Sequence, residues 1–340
     1  MRPVLVKPDL YENHAPHRIS FHPSTKRVAV CNQNTGGLIW DFSNAERAIG
    51  RAYRSSGRVG TSALDFSPDF QRLATTEVAM PGVDVVPELQ QKAPMSLWDT
   101  TAGKVVRALK GETSVIECAK FDPSGRFILA GLRDGNIVVW DLQSESEHPC
   151  LTLKKHLAAV TRLEFSPDGR FLISGGQSGE AFGKQFAPSV RLWEVSEQNP
   201  QFKLVRTLEL DRNDRHPFGV QNVAVSTDGK WILATYGAET SLFSFDGKLN
   251  CHVEGNKAMF LPDSSGIVTA GGVNMADKAV MWDLNGNSVR EFDGGHRRPI
   301  TSIAFAPDGD AFLSASYTEG IAAWRVGSGE RLLYISDFFP

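Results

Sequence analysis

The sequence predicts an all-β chain built from seven repeated units, and three observations lead to that prediction. A short turn motif recurs seven times in the 340 residues, and an aromatic residue follows each copy. The runs around each motif are short, apolar and bounded by glycine, proline or aspartate, as strands are. Helical patterns of comparable length are absent, which disfavours an alternating α/β fold.

The turn motif is kept most fully at Phe165-Ser-Pro-Asp-Gly169. Proline fixes φ near the value needed at the second position of a type I turn, aspartate bonds to the local backbone, and glycine follows where φ must be positive. Such a turn ends one strand and begins its antiparallel neighbour. The seven copies begin at Phe21, Phe66, Phe121, Phe165, Val225, Phe260 and Phe305.

An aromatic residue marks a later strand of each unit. Four of the marker tryptophans stand directly before aspartate. In the fourth unit, runs beginning at Val160, Arg170, Val190 and Lys203 indicate four strands. The markers are Trp40, Trp98, Trp140, Trp193, Phe243, Trp282 and Trp324.

The packing of these units follows from their apolar pattern. Ile137-Val-Val-Trp140 is apolar at consecutive positions, as expected for a strand covered on both faces. A four-stranded sheet cannot cover both of its own faces, so the units must stack radially. The prediction is one seven-bladed β-propeller over residues 1–340, with four-stranded antiparallel blades. We expect the two termini, through residues 3–6 and 331–336, to close the ring on blade seven.

The turn motifs, the Trp-Asp pairs and the Gly-His or Lys-His dipeptides before the next strand resemble those of the tryptophan-aspartate (WD) repeat family. Blades of that family often hold a buried, hydrogen-bonded set of His, Ser or Thr, Asp and Trp. The resemblance implies that the marker tryptophans are buried structural residues. For the seventh and fourth units it implies the sets His296, Ser316 and Trp324, with Glu319 replacing aspartate, and His156, Ser174 and Trp193.

Composition excludes several classes of function and partner. The net charge of −3 and pI near 6.3 give no general attraction to nucleic acid. The first apolar run, residues 4–6, is too short for a signal peptide, and no run approaches the roughly 18 apolar residues of a membrane span. We therefore expect a soluble, cytoplasmic protein without membrane insertion.

The four cysteines are far apart and form no CxxC pair, so neither a zinc ribbon nor a disulfide framework is indicated. Three of them lie in or beside apolar strand-like runs. Free cysteine behaves as a small hydrophobe, and we expect buried free thiols. The four are Cys31, Cys118, Cys150 and Cys251.

No residue set predicts a reaction, and we expect no enzyme activity, catalytic residue, metal or cofactor. Residues 175–180 lack the glycine that a nucleophile elbow needs two residues after Ser178. Lys184 precedes Gln185, where a phosphate-binding loop has Ser or Thr. His14 and His17 have no second pair of metal ligands nearby.

Two insertions are the most informative irregularities. The marker aromatic residue lies 19 residues after the first residue of the turn motif in the first, third and seventh units. This spacing is 32 residues in the second unit and 28 in the fourth. The extra segments, residues 77–95 and 177–188, fall between the second and third strands. If the family topology holds, they are loops on the face that also bears the connections between blades. Irregular loops on a rigid scaffold are common binding elements.

We therefore predict a non-catalytic scaffold or adaptor that binds a protein or peptide through this face, either as a monomer or within a larger complex. Apolar groups ringed by arginine suit such binding. One alternative is that the insertions only pack against the ring. Others are a ligand-binding or enzymatic propeller using its central channel, although the first strands are expected to supply few ionisable residues, and a regulatory or targeting domain of a larger protein. The predicted partner-binding residues are Arg54, Arg58, Val85, Val86, Leu89, Arg133, Phe182, Phe186, Arg215, Arg297 and Arg298.

Overall fold

The fold is all-β throughout the part of the chain that the computed structural model describes. Every regular element there is a strand, and the strands form seven four-stranded sheets and one two-stranded hairpin. All pairings with a defined register are antiparallel, for example β13 with β14. The described residues are 16–21, 27–32, 36–41, 49–53, 60–78, 95–111, 114–154, 156–177, 179–181, 184–186, 188–196, 201–210, 219–272, 277–306, 308–316 and 320–335.

The sheets are numbered in chain order, and each is formed by strands that are neighbours along the chain. Sheets 1 and 2 contain β1 Pro16–Phe21, β2 Arg27–Asn32, β3 Gly36–Asp41, β4 Ile49–Tyr53, β5 Gly60–Phe66, β6 Arg72–Val78, β7 Met95–Asp99 and β8 Lys104–Leu109. Sheet 3 contains β9 Ile116–Phe121, β10 Phe127–Leu132, β11 Asn136–Asp141 and β12 Leu151–Lys154. Sheet 4 contains β13 Val160–Phe165, β14 Phe171–Gly176, β17 Ser189–Val195 and β18 Phe202–Glu209.

The remaining sheets follow the same order. Sheet 5 contains β19 Val220–Val225, β20 Trp231–Tyr236, β21 Glu239–Ser244 and β22 Leu249–Glu254. Sheet 6 contains β23 Lys257–Phe260, β24 Gly266–Ala270, β25 Ala279–Asp283 and β26 Ser288–Phe292. Sheet 7 contains β27 Ile300–Phe305, β28 Ala311–Ser316, β29 Gly320–Arg325 and β30 Arg331–Ile335.

The chain divides into two compact units. Apart from residues at the boundaries, unit 1 contains sheets 1, 2 and 7, and unit 2 contains sheets 3 to 6. In unit 1, β1 lies against β27, and β5 lies against β2 and β3. In unit 2, the first strands of successive sheets are neighbours in the order β9, β13, β19 and β23.

The turn motif forms the predicted structure. The Ser166 hydroxyl donates to Asp168 Oδ1 at 2.6 Å, and Gly169 N donates to Ser166 O at 2.8 Å. The bond from Ser166 lowers the pKa of Asp168. Gly169 has φ +71°, and Phe70 and Ser264 take the same left-handed conformation in sheets 2 and 6, with φ 56° and 61°.

The second strands lie deepest in the core. In β14 and β20, five consecutive residues are buried after a half-buried first residue, and all five residues of β24 are buried. This is the two-sided coverage that the sequence predicts. Of the marker aromatics, Trp98, Trp140, Trp193, Phe243 and Trp324 are buried.

Two expectations about burial are wrong. Trp282 is only half-buried. Cys150 is exposed, while Cys118 and Cys251 are intermediate, and all three are free thiols. Their sulfur atoms lie near polar backbone, as in the bond from Cys118 Sγ to Val160 O at 3.4 Å, so these positions do not require full burial. The side chains of Cys31 and Trp40 lie outside the described residues.

The insertion in sheet 4 is not simply a loop. It contains a hairpin of β15 Gly179–Ala181 and β16 Lys184–Phe186, set between β14 and β17. Pairing within the insertion satisfies backbone groups that a loop would leave to solvent. Residues 79–94, most of the other insertion, lie outside the described residues.

The carboxyl-terminal run forms β30, which pairs with β29 as the outer strand of sheet 7. This is the position that the sequence predicts for it. Residues 3–6 lie outside the described part of the chain, so their role in closing a ring stays a prediction.

Candidate functional site

In unit 2, the turns between second and third strands share one end of the sheets with the segments that enter the first strands. Arg133 N donates to Val115 O at 2.9 Å, Gln177 N to Ala159 O at 2.8 Å, and Gly255 N to Ala238 O at 2.8 Å. This follows from antiparallel pairing, because the second strand ends where the first begins. We call this end of unit 2 the connection face, defined by Val115, Arg133–Gly135, His156–Ala159, Gln177, Ala238 and Gly255–Asn256.

Glycine permits close packing on the connection face. Gly135 has φ +86°, and a Cβ atom there would lie 2.5 Å from His156 O and 3.0 Å from Ala158 O. The turn between β10 and β11 is therefore pressed against the segment that enters sheet 4. Leu157 in that segment is 66% exposed.

Charged side chains are frequent on the first strands of unit 2. Arg133 pairs with Glu117 at 2.6 Å, and Lys120 on β9 pairs with Glu164 on β13 at 2.7 Å. Arg162 and Lys257 stand on β13 and β23. The expectation that the first strands supply few ionisable residues is wrong for unit 2. The sequence pattern did not indicate these charged residues because they alternate with apolar residues, as polar residues do in an ordinary core strand.

One register position recurs along these first strands. Cys118, Arg162, Asn222 and Lys257 each stand three residues before the last residue of their strand. Asn222 Nδ2 donates to Ala258 O at 2.5 Å, and Arg162 Nε donates to Gln221 O. Together with the Cys118 contact to Val160, three of the four side chains thus bond to a carbonyl of the next sheet.

Lys257 differs from the other three. Its ammonium group forms no hydrogen bond or ion pair with any residue that the structure describes. Burial, with a further contribution from the positive charge of Arg162, lowers the pKa of Lys257 to about 8. Lys257 is therefore a half-buried lysine whose side chain is partly neutral near pH 8.

Only three of the predicted partner-binding residues have described side chains. Arg133 belongs to the connection face, and its side chain is 63% exposed. Arg297 and Arg298 are exposed residues of unit 1, in the segment that enters β27. The others fall outside the described side chains, namely Arg54, Arg58, Val85, Val86, Leu89, Phe182, Phe186 and Arg215.

Sheet 4 brings its predicted buried set together. His156 Nε2 lies 2.7 Å from Ser174 Oγ, and Trp193 Nε1 donates to the same oxygen at 2.8 Å. Burial lowers the pKa of His156 to about 3, with a further contribution from the charge of Arg191. The imidazole is therefore neutral at physiological pH.

Sheet 7 forms the same arrangement with a different serine. His296 Nε2 lies 2.7 Å from Ser314 Oγ, and Trp324 Nε1 donates to Ser314 Oγ at 2.8 Å. The assignment of Ser316 is wrong, since its hydroxyl donates to Arg298 O at 2.9 Å. Phe312 is the partner of Trp324 across the strands, and the hydroxyl that meets the indole stands two residues after it. Glu319 lies outside the described residues.

In sheets 2 and 6, for which no set was predicted, a hydroxyl again stands two residues after the residue that pairs with the tryptophan. Trp98 Nε1 donates to Thr75 Oγ1 at 2.9 Å, and Trp282 Nε1 donates to Thr269 Oγ1 at 2.8 Å. In sheet 3 this position is Ala130, and Trp140 Nε1 instead donates to Lys110 O at 3.1 Å. The five marker tryptophans whose side chains the structure describes thus each donate to a hydroxyl or a carbonyl.

Two negative findings apply to the described residues. They contain no group of three or more His, Cys, Asp or Glu side chains placed to hold a metal ion. They also include no helix long and apolar enough to cross a membrane.

Comparison with known families decides the class of these repeats. The family model described as "WD domain, G-beta repeat" matches residues 103–141, 147–181 and 286–324. This chain contains three WD repeats. Two of the matches end at or beside a marker tryptophan, Trp140 and Trp324, whereas the third ends inside the insertion that precedes Trp193.

Known proteins resemble this chain over most of its length. It is 29% identical over 247 residues to cilia- and flagella-associated protein 52 of Chlamydomonas reinhardtii, covering 68% of this chain and 36% of that protein. It is 24% identical over 236 residues to serine-threonine kinase receptor-associated protein of Gallus gallus, covering 69% and 61%. The chain thus spans less than two thirds of either relative.

A solved structure supports the fold. A chain in the crystal structure of a mitotic checkpoint complex matches with a TM-score of 0.69 at 17% identity, covering 94% of this chain and 93% of that one. The chain therefore has a β-propeller fold of the WD-repeat type. That fold is typical of protein-interaction scaffolds.

Proposed function

We propose that this chain is a non-catalytic scaffold that binds a protein or peptide partner on the connection face. One observation supports the proposal above the others: in unit 2, the strand turns, the sheet-entering segments and the start of the insertion at 177–188 share one end of the sheets. Loops fixed by a rigid scaffold are common binding elements.

The described side chains on this face suit a protein partner. Leu157 offers an exposed apolar group, and Arg133 offers a guanidinium that is 63% exposed. Apolar anchors with arginine nearby are typical of protein interfaces. Arg297 and Arg298 of unit 1, and the predicted residues outside the described part, are still proposed as partner-binding residues in their own right.

The similar proteins support an interaction role in a general way. One has a name that states association with a receptor, and another belongs to a checkpoint complex. For this chain we propose a cytoplasmic protein that is a monomer alone or part of a larger complex. The net charge of −3 disfavours nucleic acid as a partner. A regulatory or targeting domain of a larger protein remains the alternative.

Shortening the insertion tests the proposal. Residues 178–187 are replaced by an Asn-Gly turn, which suits an antiparallel hairpin. Proteins retained from cell extract by the immobilised full chain are then quantified. We expect an unchanged melting temperature and a sharp loss of retained partners, and a further loss when residues 81–94 are also shortened.

A charge-reversal pair provides the matched control. Arg133→Glu alters the connection face, whereas Lys230→Glu alters an exposed ion pair in a turn between first and second strands, at the other end of sheet 5. Arg133→Glu should reduce partner retention, and Lys230→Glu should leave it unchanged. Full retention by both the shortened and the Arg133→Glu proteins would show that another surface binds the partners.

A further inference from the structure

Arg191 lies on β17 of sheet 4, beside the hydrogen-bonded set of that sheet. It pairs with Ser174 of β14, and directly opposite residues of an antiparallel pair have Cβ atoms about 4.5 to 5.5 Å apart. Trp193 follows two residues later on the same face, because side chains of a strand alternate between faces. The register therefore places the Arg191 side chain next to Ser174 Oγ, which already bonds His156 and Trp193.

The guanidinium group of Arg191 has no counter-charge among the residues that the structure describes. Its Nε and Nη1 atoms are buried and have no hydrogen-bond partner there, although the residue as a whole is only half-buried. Burial lowers the pKa of Arg191. Arginine nevertheless stays protonated in proteins, so this side chain cannot lose its charge as a lysine or histidine can. A buried charge without a partner is unfavourable, and an anion would stabilise it.

The neighbours of Arg191 across the strands are neutral. Ser174 and Thr207 are its partners on β14 and β18. His156, bonded to Ser174, is neutral at physiological pH because burial holds its pKa at about 3. None of these three side chains can supply the negative charge that the guanidinium lacks.

The connection face lies close to Arg191. β17 begins at Ser189, which pairs with Gly176 at the end of β14 on that face. Arg191 stands two residues further along the strand, about 7 Å from this end, a distance that an arginine side chain can span. His156 belongs to the connection face, and the next residue, Leu157, is 66% exposed. An anion bound by Arg191 would therefore lie near an exposed apolar side chain.

We propose that Arg191 binds an anionic side chain of the partner, a carboxylate or a phosphate ester, while an adjacent apolar side chain of the same peptide contacts Leu157. The planar fork of arginine matches two oxygen atoms of either group. Because Nε and Nη1 are enclosed in the free protein, the guanidinium turns towards the connection face when it binds. This inference rests on the proposed function and specifies the partner segment as acidic or phosphorylated, with an apolar neighbour.

Isotope-edited NMR of the arginine Nε–H groups tests the site in the full chain. The probes are short degenerate peptide libraries that carry leucine next to a central glutamate, phosphoserine or glutamine, and inorganic phosphate is tested separately. The Arg191→Lys variant, which lacks this group, assigns the Arg191 signal. We expect the glutamate or the phosphoserine library to shift that signal downfield and the glutamine library to leave it unchanged.

Arg126 provides the internal control, because its Nη2 already donates to Asp141 Oδ2 at 2.8 Å. Its signal should stay unchanged with every probe. The comparison of the two acidic libraries distinguishes a carboxylate from a phosphate ester. An equal shift of the Arg191 signal with the glutamine library, or no shift with either acidic library, would overturn the inference. A shift with inorganic phosphate equal to that with the phosphoserine library would overturn the peptide part.

Peptide binding by two Arg191 variants provides a second measurement, made by fluorescence anisotropy. Arg191→Met removes an unpaired buried charge, so the free variant should melt several degrees higher than the wild type. The acidic library should bind it about tenfold more weakly, as expected for the loss of a charge-assisted hydrogen bond. Arg191→Lys keeps the charge without the fork, and it should also bind more weakly if the methionine variant does not fold. Unchanged peptide binding by the folded variants would overturn the inference, whatever their melting temperatures.

Failure of this inference can be distinguished from failure of the proposed function. If Arg133→Glu abolishes retention of partners while Arg191→Met leaves retention and peptide binding intact, the scaffold proposal stands and the anion site is wrong. If acidic peptides shift the Arg191 signal but the shortened and Arg133→Glu proteins retain every partner, the anion site stands and the scaffold proposal is wrong.

Discussion

The imidazole Nε2 of His156 lies 2.7 Å from the hydroxyl oxygen of Ser174, inside the core of sheet 4. The same oxygen accepts the indole N–H of Trp193 at 2.8 Å. The three side chains connect the segment that enters the sheet to its second and third strands. Because His156 is buried, its neutral form is required for this geometry.

We expect His156 to make the protein sensitive to acid. Its pKa is about 3 in the folded state and near 6.5 when unfolded, so the unfolded state binds more protons below pH 6.5. The free energy of unfolding should therefore fall as pH decreases from 6.5 towards 3, by about 2 to 3 kcal/mol at pH 4.5. Urea unfolding at pH 7 and pH 4.5 measures this difference.

The control for the acid prediction is the exposed residue His148. His156→Gln should be less stable than the wild type at pH 7 but should lose much less stability on acidification. His148→Gln should follow the wild-type profile. An identical acid loss in wild type and His156→Gln would show that other groups cause it.

Ser314 and Ser316 should respond differently to mutation. Ser314→Ala removes the oxygen shared by His296 and Trp324, leaving buried polar groups unpaired, and should cost about 2 to 3 kcal/mol. Ser316→Ala removes one bond to Arg298 O and should cost about 1 kcal/mol. Chemical unfolding of both variants compares them, and an equal or reversed order would contradict the assigned network.

The Ser316 error shows which part of the fold sequence can predict. The turns follow from local chemistry, as at Ser166 and Asp168, so they fix the boundaries between first and second strands. Which hydroxyl meets a tryptophan depends on the pairing register, and the sequence around Ser314 offers two serines on one face of the strand. The register rule, two residues after the partner of the tryptophan, emerges only from the paired strands.

The candidate site was less predictable for a related reason. Arg133 follows from its place in a turn, since loop positions can be inferred from repeats. Arg162 and Asn222 stand at the same position of their strands, and each donates to a carbonyl group of the next sheet. Aligning the ends of the first strands would have placed the two side chains together, but not their bonds.

Replacing a marker tryptophan by alanine should lower the free energy of unfolding by an amount that depends on how deeply the tryptophan is buried, not on whether it belongs to the repeat motif. Trp193 is buried and anchored to Ser174, so Trp193→Ala should cost about 3 to 5 kcal/mol. Trp282 is half-buried, so Trp282→Ala should cost clearly less. Thermal and urea unfolding of the two variants measure the difference. Equal losses would indicate that Trp282 is as important to packing as Trp193.

The last prediction concerns close packing on the connection face. Gly135 and Gly169 both have positive φ, +86° and +71°, so alanine is strained at each. A left-handed alanine costs about 1 to 2 kcal/mol. Gly169 has only ordinary contacts, with Pro123 Cγ 3.5 Å from the added Cβ, so Gly169→Ala should cost no more than this. At Gly135 the added Cβ would lie 2.5 Å from a backbone oxygen, that of His156, which cannot move without displacing the entry to sheet 4.

Gly135→Ala should therefore be markedly less stable than Gly169→Ala in urea unfolding. It should also increase hydrogen exchange at amides near Ala159 and Gln177, because the displaced segment carries their mutual bond. The shared left-handed strain cancels in the comparison, so the difference reports the contact alone. If the two variants have the same stability and exchange, the turn between β10 and β11 does not press against the segment that enters sheet 4, and the connection face is more open than described.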